Sequence, residues 1–484
     1  MNSKWIIGSS GPRATSRLPL LDTAGARSLE ANTAKDRPAG YLMQAAGLAL
    51  AQLALAVAPH AKSFWVACGR GNNGGDGLEA ALHLHRWGKS VHISMPQDDK
   101  SLPADAAQAL ARVRQTGMDV FDHAPDHWEV CIDALLGIGL TSAPASNYAE
   151  WITRMNVGTG TIISADLPSG LLGDTGIAPG TCVRASHTLS MLCLKPGLMT
   201  AQGRDMSGHI WLNTLGADPP ASAYAWLNPA PSLSHRKHAS HKGSYGDVAI
   251  VGGSAGMEGA AILAARAALQ SGAGRVFLAL LSPDQTHPGI ELPADLMQRH
   301  PETLHPEQLT MVIGCGGGLE ITNSLPRWFC DAAQLVVDAD ALNAMAASTR
   351  LQTLLRARPQ DTTVITPHPL EAARLLGCSV ADIQADRIAS AQRLAANFQC
   401  VVILKGSGSV ITAPQKTPHI NPTGNGKLAI AGTGDVLAGM TGAALAHHHS
   451  AWAAAREACY RHGALADAWP QDQSLTASKL LSGI

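Results

Sequence analysis

Residues 63–77 read SFWVACGRGNNGGDG. The run Ser63–Cys68 is short and apolar, as a buried strand is, and five glycines fall within the next nine residues. A helix is predicted over Leu78–Trp87 and a second strand over Ser90–Met95. This order indicates a βαβ unit in a mostly parallel sheet. The glycine-rich turn could direct successive backbone N–H groups at one anion, although such turns also occur without a ligand.

Polar residues follow two further predicted strands, Val130–Ala134 and Thr161–Ala165. Asp133 belongs to the first of them, and Asp166 and Ser169 come directly after the second. In an open α/β sheet, ligands bind at the carboxyl ends of the strands. We therefore expect these polar groups to converge with the glycine-rich turn at one edge of the sheet.

A change in composition separates two α/β halves. Residues 217–242 read ADPPASAYAWLNPAPSLSHRKHASHK, in which Pro, Ala and Ser precede a basic cluster, as is typical of a linker. The second half restarts with a strand at Val248–Gly252 and a helix at Gly259–Ser271. The predicted boundaries are residues 1–218 for the first domain, 219–235 for the linker and 236–484 for the second domain.

The composition excludes several classes of function. The 36 Lys and Arg nearly balance the 37 Asp and Glu, so a net charge of −1 provides no field for nucleic acid or an acidic membrane. With 46% hydrophobic and 15% charged residues, the chain is expected to fold around large cores. Aromatic residues are only 4%; together with the low charge, this favours assembly into a homo-oligomer through Ala-rich surfaces.

Cysteine usage and the N-terminal half predict a cytoplasmic protein. The nine cysteines are an odd number without a C-x-x-C pair, which indicates neither a disulfide framework nor a zinc site. The stretch Pro38–Ala61 contains no Asp, Glu, Lys or Arg, but it is rich in Ala and carries Gln44 and Gln52. A buried helix therefore fits it better than a membrane span. No secretion signal is recognised at the N-terminus.

Three motifs of the first half, N-N-G-G-D-G at 72–77, D-A-L-L-G at 133–137 and D-L-P-S-G at 166–170, occur in a specific order. Over residues 20–215 the chain resembles the NAD(P)H-hydrate epimerase family, also called the YjeF N-terminal domain. The resemblance implies a Rossmann-like three-layer α/β/α domain that epimerises C6 of the hydrated nicotinamide ring. It also implies a K⁺ ion bound by oxygen atoms of Asn73, Asp133 and Ser169, the donor type that a hard cation prefers.

The same resemblance assigns the contacts of the hydrate. These contacts are Asn72, Asn73, Gly74, Gly75, Asp76, Gly137, Ile138, Gly139, Leu140, Thr141, Ser142, Ala143 and Asp166. Ile138 stands where the family usually has Thr, so the turn lacks one hydroxyl. Asp166 is the leading candidate for proton transfer. Lys195 is a second candidate, with a surface or structural lysine as the alternative.

The second half carries its own motif, AGTGDVLAG at residues 431–439. Gly432–Gly434 could form a nest of backbone N–H groups before an apolar helix, suited to a transferring phosphoryl group. Asp435 would then be placed to take the proton of an attacking hydroxyl. The alternative is an acidic capping residue after a glycine turn.

Four further motifs accompany it: H-K-G at 241–243, D-A-D-A-L at 338–342, T-P-H-P at 366–369 and L-K-G at 404–406. Over residues 236–466 the chain resembles the ADP/ATP-dependent NAD(P)H-hydrate dehydratase family, with a ribokinase-like α/β fold. The implied hydrate contacts are Ala260, Gly316, Gly318, His368 and Asp435. The implied nucleotide contacts are Lys405, Gly406, Ser407, Gly408, Ser409 and Gly434.

The second resemblance implies phosphorylation of the hydrate by ADP with Mg²⁺, followed by elimination that gives NADH or NADPH, AMP and phosphate. The chain departs from the family at Cys315, in G-C-G-G-G instead of G-P-G-L-G, at Leu370 for Gly and at Ser409 for Thr. The stretch 293–297, PADLM, also departs from R-P-E-x-M. None of these changes removes a predicted catalytic group.

The two halves together predict a bifunctional repair enzyme acting on the small molecules NADHX, NADPHX and ADP. The pairing is chemically reasonable, because a stereospecific dehydratase benefits from an epimerase that delivers the other isomer. One alternative is a ribokinase-like vitamin-precursor kinase, which would release a stable phosphorylated product. Another is that the first half is a binding module without catalysis.

Overall fold

The computed structural model describes residues 4–8, 11–12, 17–97, 101–218, 220, 222–232, 236–282 and 292–484. The chain divides into two compact units, Met1–Trp226 and Leu227–Ile484. This division falls inside the predicted linker, 219–235, of which residues 219, 221 and 233–235 lie outside the described residues. The segment contains a short strand, Ala225–Leu227, so the linker boundaries stay a prediction.

The first unit is built on a nine-stranded sheet, and it also contains short strands that do not belong to this sheet. Its strands are β1 Lys4–Gly8, β2 Gly11–Pro12, β3 Pro19–Leu20, β4 Ser63–Cys68, β5 Ser90–Ser94, β6 Val120–Phe121, β7 Val130–Ala134, β8 Thr161–Ala165, β9 His187–Met191, β10 His209–Asn213 and β11 Ala225–Leu227. The sheet has the order β2-β1-β10-β9-β8-β7-β4-β5-β6, parallel from β10 to β6. Strands β3 and β11 pair antiparallel.

The helices of this unit are α1 Thr23–Ala34, α2 Tyr41–Val57, α3 Asn72–Arg86, α4 Ala104–Gln115, α5 Ser146–Val157 and α6 Gly203–Met206. The α/β prediction is confirmed, and β4, β7 and β8 have the predicted bounds. Strand β4 lies between β5 and β7, so the chain reverses its direction of travel across the sheet there. Such a switch point opens a crevice at the carboxyl ends of the strands.

The glycine-rich stretch does not form the predicted turn up to Gly77, because α3 already begins at Asn72. Close packing explains this difference. A Cβ at Gly74 would lie 1.8 Å from the Gly69 carbonyl oxygen, and one at Gly77 would lie 2.7 Å from Cβ of Ala134. These glycines therefore allow α3 to approach the sheet, and only Gly69–Gly71 lie outside the helix.

The uncharged stretch of the first half folds as α2, whose Leu50, Leu53 and Ala54 are fully buried in the core. Within the described ranges, no helix combines the length and the apolar character needed to cross a membrane. All nine cysteines are free.

The second unit repeats the parallel α/β plan. Its strands are β12 Asp247–Gly252, β13 Arg275–Leu280, β14 Met297–Gln298, β15 Thr310–Ile313, β16 Gln334–Val337, β17 Thr363–Ile365, β18 Val401–Leu404, β19 Val410–Thr412 and β20 His419–Ile420. They follow the order β14-β13-β12-β15-β16-β17-β18-β19-β20. Pairing is parallel as far as β18 and antiparallel from β18 to β20.

The helices of this unit are α7 Glu258–Gln270, α8 Leu325–Asp331, α9 Ala339–Ala346, α10 Thr349–Arg356, α11 Pro369–Leu376, α12 Val380–Ala385, α13 Arg387–Phe398, α14 Thr433–His448, α15 Ala451–Ala468 and α16 Ala477–Leu481. Helix α14 packs closely on α7, where a Cβ at Gly439 would lie 2.1 Å from the Ala264 carbonyl oxygen. Strand β12, between β13 and β15, is the switch point of this sheet. The stretch 314–318 follows β15, D-A-D-A-L follows β16, T-P-H-P follows β17, and L-K-G begins at the last residue of β18.

Candidate active sites

A buried carboxylate lies at the centre of the first site. Asp133, in β7, is fully buried and its Oδ1 accepts a hydrogen bond from Ser169 Oγ at 2.5 Å. Its Oδ2 accepts from Ser164 Oγ at 2.7 Å and from the Ser169 backbone N–H at 2.9 Å. Burial raises the pKa of Asp133, and these hydrogen bonds oppose the rise. The network fixes the β8–Ser169 turn against the end of β7.

Asn73 approaches the same place from the first turn of α3. Its Cβ lies 3.5 Å from where a Cβ on Gly137 would stand, and its Nδ2 is buried without a hydrogen-bond partner. Ser169 Oγ accepts a hydrogen bond from the Leu136 N–H at 2.8 Å, next to the same glycine. Amide, carboxylate and hydroxyl oxygens are thus available around residues 136–137. This donor set fits a hard monovalent cation.

Asp166 and Lys195 form an ion pair at the ends of β8 and β9. Asp166 has a φ of 67°, which is rare for a residue other than glycine. Its Oδ1 accepts from the Met191 N–H at 3.0 Å. Lys195 is only 2% exposed, and its Nζ also donates to the carbonyl oxygens of Met191 at 2.9 Å and Cys193 at 3.1 Å. Lys195 is therefore not a surface lysine.

The pairing keeps Lys195 charged. Burial alone lowers the pKa of Lys195, but the adjacent Asp166 carboxylate outweighs burial and the pKa is raised. Two more acids lie in the field of Asp166. Burial, followed by repulsion from Asp166, raises the pKa of both Asp76 and Glu30. Asp76 was predicted from its motif, whereas Glu30 lies in α1 outside any motif and was missed.

The turn at residues 137–143 borders this site beside Ser169 and Asn73. Gly139, Thr141, Ser142 and Ala143 are exposed, whereas Ile138 is half-buried. The Ile138 side chain packs, as Leu29 does, against an apolar cluster of Leu21, Ala26 and Cys193. The isoleucine found in place of the family's threonine therefore contributes to the packing of α1 against the turn.

In the second unit, Asp435 lies in the first turn of α14. The helix begins at Thr433, so the prediction that Gly432–Gly434 precede it was wrong, and only Gly432 lies outside. Gly432 has a φ of 88° and ends the incoming loop in a conformation that favours glycine. Burial, followed by repulsion from Asp338, raises the pKa of Asp435 to about 6. A carboxylate with this pKa is suited to accept a proton near neutral pH.

A thiol and a second carboxylate surround Asp435. Atoms of Cys315, Asp338 and Asp435 lie within 4.8 Å of one another, and Cys315 Sγ is 4.0 Å from Asp338 Oδ2. Burial and the two carboxylates raise the pKa of Cys315 well above its ordinary value, so the thiol keeps its proton. Asp338 Oδ1 accepts from Lys405 Nζ and from Thr366 Oγ1, each at 2.7 Å.

This cluster does not suit Mg²⁺, which demands octahedral oxygen coordination. One of its three groups is a protonated thiol, and a lysine ammonium already occupies Asp338. These three groups therefore do not provide a magnesium site, and Mg²⁺ stays a prediction.

Lys405 connects the predicted nucleotide loop to this cluster. Its Nζ lies 3.5 Å from where a Cβ on Gly434 would stand, so the structure brings these two predicted nucleotide contacts together. Its Nζ is also 3.9 Å from Glu371 Oε2, and burial raises the pKa of Glu371 to about 7. Burial lowers the pKa of Lys405, but Asp338 and Glu371 outweigh it and the pKa is raised.

A buried arginine donates hydrogen bonds to the start of the loop Lys405–Ser409. Arg387 donates from Nη2 to the carbonyl oxygens of Leu404 at 3.2 Å and Lys405 at 3.1 Å. Gly406 and Gly408 have φ values of 138° and 60°, and Ser409 Oγ donates to the Gly406 carbonyl oxygen at 3.2 Å. The glycines therefore provide a backbone conformation here, not only space.

The predicted hydrate contacts fall into two groups. Ala260, at the start of α7, faces Gly316, since its Cβ is 3.0 Å from where a Cβ on Gly316 would stand. The Gly318 N–H donates to Asp340 Oδ2 at 2.9 Å. His368 caps α11, and its Nδ1 accepts from the N–H groups of Leu370 and Glu371 at 3.1 and 3.3 Å.

His368 therefore combines a structural role with an accessible ring, because 45% of its side chain is exposed. Three residues close to Asp435 or Lys405 were not among the predicted site residues: Cys315, Asp338 and Glu371. Asp338 stood inside a recognised motif and Cys315 at a recognised departure, so both could have been found. Glu371 directly follows the recognised departure at Leu370, and its distance to Lys405 shows its role.

Comparison with known proteins gives two family matches. The NAD(P)H-hydrate dehydratase model matches residues 248–484, and the model of the YjeF-related protein N-terminus matches residues 39–197. The bifunctional NAD(P)H-hydrate repair enzyme Nnr of Escherichia coli (strain K12) is 37% identical over 465 residues, covering 88% of this chain and 84% of the relative. The enzyme of that name from Moorella thermoacetica is 35% identical, covering 83% of this chain and 82% of the relative.

Among solved structures, the ADP/ATP-dependent NAD(P)H-hydrate dehydratase of Bacillus subtilis, co-crystallised with ATP and Mg²⁺, is similar to this chain at 29% identity. The match covers 52% of this chain and 91% of the Bacillus subtilis chain, with a TM-score of 0.43.

Proposed function

The chain belongs to the family of bifunctional NAD(P)H-hydrate repair enzymes, and on that premise we propose that its first unit epimerises NAD(P)H hydrate while its second unit dehydrates the S form with ADP. The observation that carries the proposal is the placement of Asp435. A half-buried carboxylate with a pKa of about 6 sits at the start of α14, where helix N–H groups favour a phosphoryl group.

Dehydration is proposed to begin with a phosphoryl transfer. The C6 hydroxyl oxygen of the hydrate attacks the terminal phosphorus of ADP, the bond to the bridging oxygen of AMP breaks, and Asp435 accepts the hydroxyl proton. Lys405, held by Asp338 and lying beside Gly434, would neutralise charge on the phosphoryl oxygens.

Elimination follows from the phosphate ester. The lone pair of the ring nitrogen expels phosphate from C6, and loss of a proton from C5 restores the dihydronicotinamide ring. The products are NADH or NADPH, AMP and phosphate, so the step consumes ADP and requires no oxidant or reductant.

Epimerisation is proposed to take place beside Asp166. Inversion at C6 requires proton transfer and positioning, and the Asp166 carboxylate, fixed by Lys195 and the Met191 N–H, is the candidate acid–base group. Because the pKa of Lys195 is raised, we assign Lys195 the role of orienting and charge-balancing Asp166. Asn73, Asp133 and Ser169 would hold K⁺ beside residues 136–137, where its charge would be balanced by the Asp133 carboxylate.

The test supplies both NADHX epimers to the purified full chain and follows the return of NADH absorbance. Parallel samples contain ADP, ATP or no nucleotide, each with Mg²⁺, and K⁺ is present or replaced by Na⁺. Complete ADP-dependent recovery, faster than spontaneous epimerisation and slower in Na⁺, is expected. Recovery of one epimer's share alone would reduce the first unit to a binding module, and a stable phosphorylated product would favour a kinase.

A further inference from the structure

Helix α1 is fixed at the edge of the first site by contacts at its N-terminus. Asp22 Oδ1 accepts from the Gly25 N–H at 2.9 Å, and Asp174 Oδ1 accepts from the Thr23 N–H at 2.7 Å and its hydroxyl at 2.9 Å. The Leu21 N–H donates to the Leu194 carbonyl oxygen at 2.9 Å, next to Lys195. The start of the helix is thus tied to the loops that follow β8 and β9.

Arg27 lies one turn into this helix and faces the turn at 137–143. Its Nη2 is 3.9 Å from where a Cβ on Gly139 would stand. Ile138, from the turn, and Leu29, from α1, both pack against the apolar cluster that contains Ala26, the residue before Arg27. This packing holds the backbone of α1 beside the turn, so the Arg27 side chain starts within reach of it.

The Arg27 guanidinium is exposed, and within the described ranges no residue accepts a hydrogen bond from it. Its five N–H donors are available beside a turn whose Gly139, Thr141 and Ser142 are also exposed. A planar guanidinium next to exposed backbone is suited to bidentate binding of a phosphate. We propose that Arg27 binds a phosphate group of the hydrate in the epimerase site; this inference rests on the proposed function.

The same helix gives the bound hydrate a direction. Glu30 lies three residues after Arg27, so both side chains are on one face of α1. Glu30 is in the field of Asp166 and Lys195. The phosphate end of the hydrate would lie at Arg27, and the nicotinamide ring would lie at Asp166 on the Glu30 side.

The experiment compares Arg27→Gln with Lys35→Gln, which removes an equal charge from the end of the same helix. Lys35 is exposed and its Nζ donates to Asn32 on the same helix, so its loss should leave epimerisation unchanged. For Arg27→Gln we expect KM for the hydrate in epimerisation to rise about ten- to a hundredfold, with kcat within about twofold, since a hydrogen bond to a charged group is lost. Arg27→Lys should recover part of the loss, and dehydration should not change.

Two phosphate sources are distinguished by the substrate. An equal rise in KM for NADHX and NADPHX identifies the pyrophosphate, and a rise for NADPHX alone identifies the 2′-phosphate. An unchanged KM for both hydrates, or a loss of kcat instead, overturns the proposal.

A binding measurement separates this inference from the proposed function. ADP-ribose and its 2′-phosphate are titrated calorimetrically into the full chain and into Arg27→Gln; binding by the second unit is common to both proteins. Weaker binding by Arg27→Gln supports the phosphate site even if the chain fails to epimerise. Equal binding by the two proteins overturns it, whatever the epimerase assay gives.

Discussion

The two units each present one carboxylate for proton transfer, but they place it in opposite electrostatic settings. Asp166 is bonded directly to the ammonium group of a buried lysine, whereas the corresponding lysine near Asp435, Lys405, is bonded to Asp338 instead. Asp435 is left with a carboxylate and a protonated thiol as neighbours, and its pKa is raised to about 6. Asp166 is thus held by a direct ion pair, while burial beside a like charge makes Asp435 a base that is protonated in mild acid.

Asp435→Asn tests the second half of this comparison with the largest expected effect. Removing the base should lower ADP-dependent dehydration by about a hundred- to ten-thousandfold, because general-base catalysis contributes that much. Epimerisation should continue at the normal rate, measured by chromatography of the two epimers. A variant that still dehydrates at a tenth of the normal rate would show that Asp435 is a helix-capping residue.

Asp166→Asn tests the role of Asp166 in the first site. Both thermal stability and activity are measured for this variant. Epimerisation should fall by about a hundredfold or more, while dehydration of the S form is retained. The variant also leaves the buried Lys195 unpaired, which costs about 3–5 kcal/mol when one partner of a buried pair is removed. Thermal unfolding of the single variant and of Asp166→Asn with Lys195→Met separates the two effects, since the second variant removes the unpaired charge.

If the double variant regains stability but not epimerisation, Asp166 acts in the reaction. If it regains both, Asp166 is structural and the first unit requires another acid.

The smallest expected effect concerns the pH dependence of dehydration. Asp435 is ionised above a pH of about 6, so kcat/KM should fall as the pH drops through 6 and stay level between 7 and 8. The groups that face it are Asp338 and Lys405, besides Cys315, whose hydrogen bond lowers the pKa of Asp435. Cys315→Ala should therefore move the acid limb upward, with about a twofold loss at pH 6 and none at pH 8. Cys315→Ser retains a donor and serves as the control; an identical profile for Cys315→Ala would remove the thiol from this account.

Much of the fold could be predicted because strands of parallel sheets are apolar along their whole length. The bounds of β4, β7, β8 and β18 follow directly from such runs. The starts of α3 and α14, both at glycine-rich motifs, were predicted too late in the chain for the same reason. Glycine signals both a turn and a close approach, and only the neighbours of Gly74 and Gly77 show which of the two applies.

The sites divide in the same manner. Asp133, Asp166, Ser169 and Asp435 follow predicted strands or open a predicted helix, so their meeting points were predictable from the switch-point rule. Arg27 and Glu30 lie on α1, which carries no motif, and Glu371 lies two residues after T-P-H-P on α11. Their contribution depends on which face of each helix meets the sheet edge, and packing against residues far along the chain decides that face.

The sequence by itself determined the two α/β units, the motifs at their strand ends and the family, because strand periodicity and motif order are local properties of the chain. The tertiary structure alone decided which groups pair: Lys195 with Asp166, Lys405 with Asp338, and Cys315 with both acids of the second site. The physical reason is that a charge is set by neighbours within a few ångströms and by the water that burial removes. Those neighbours can be far apart in the chain: Cys315 and Asp435 are separated by 120 residues. Composition and motif spacing do not reveal that two such residues are close in space.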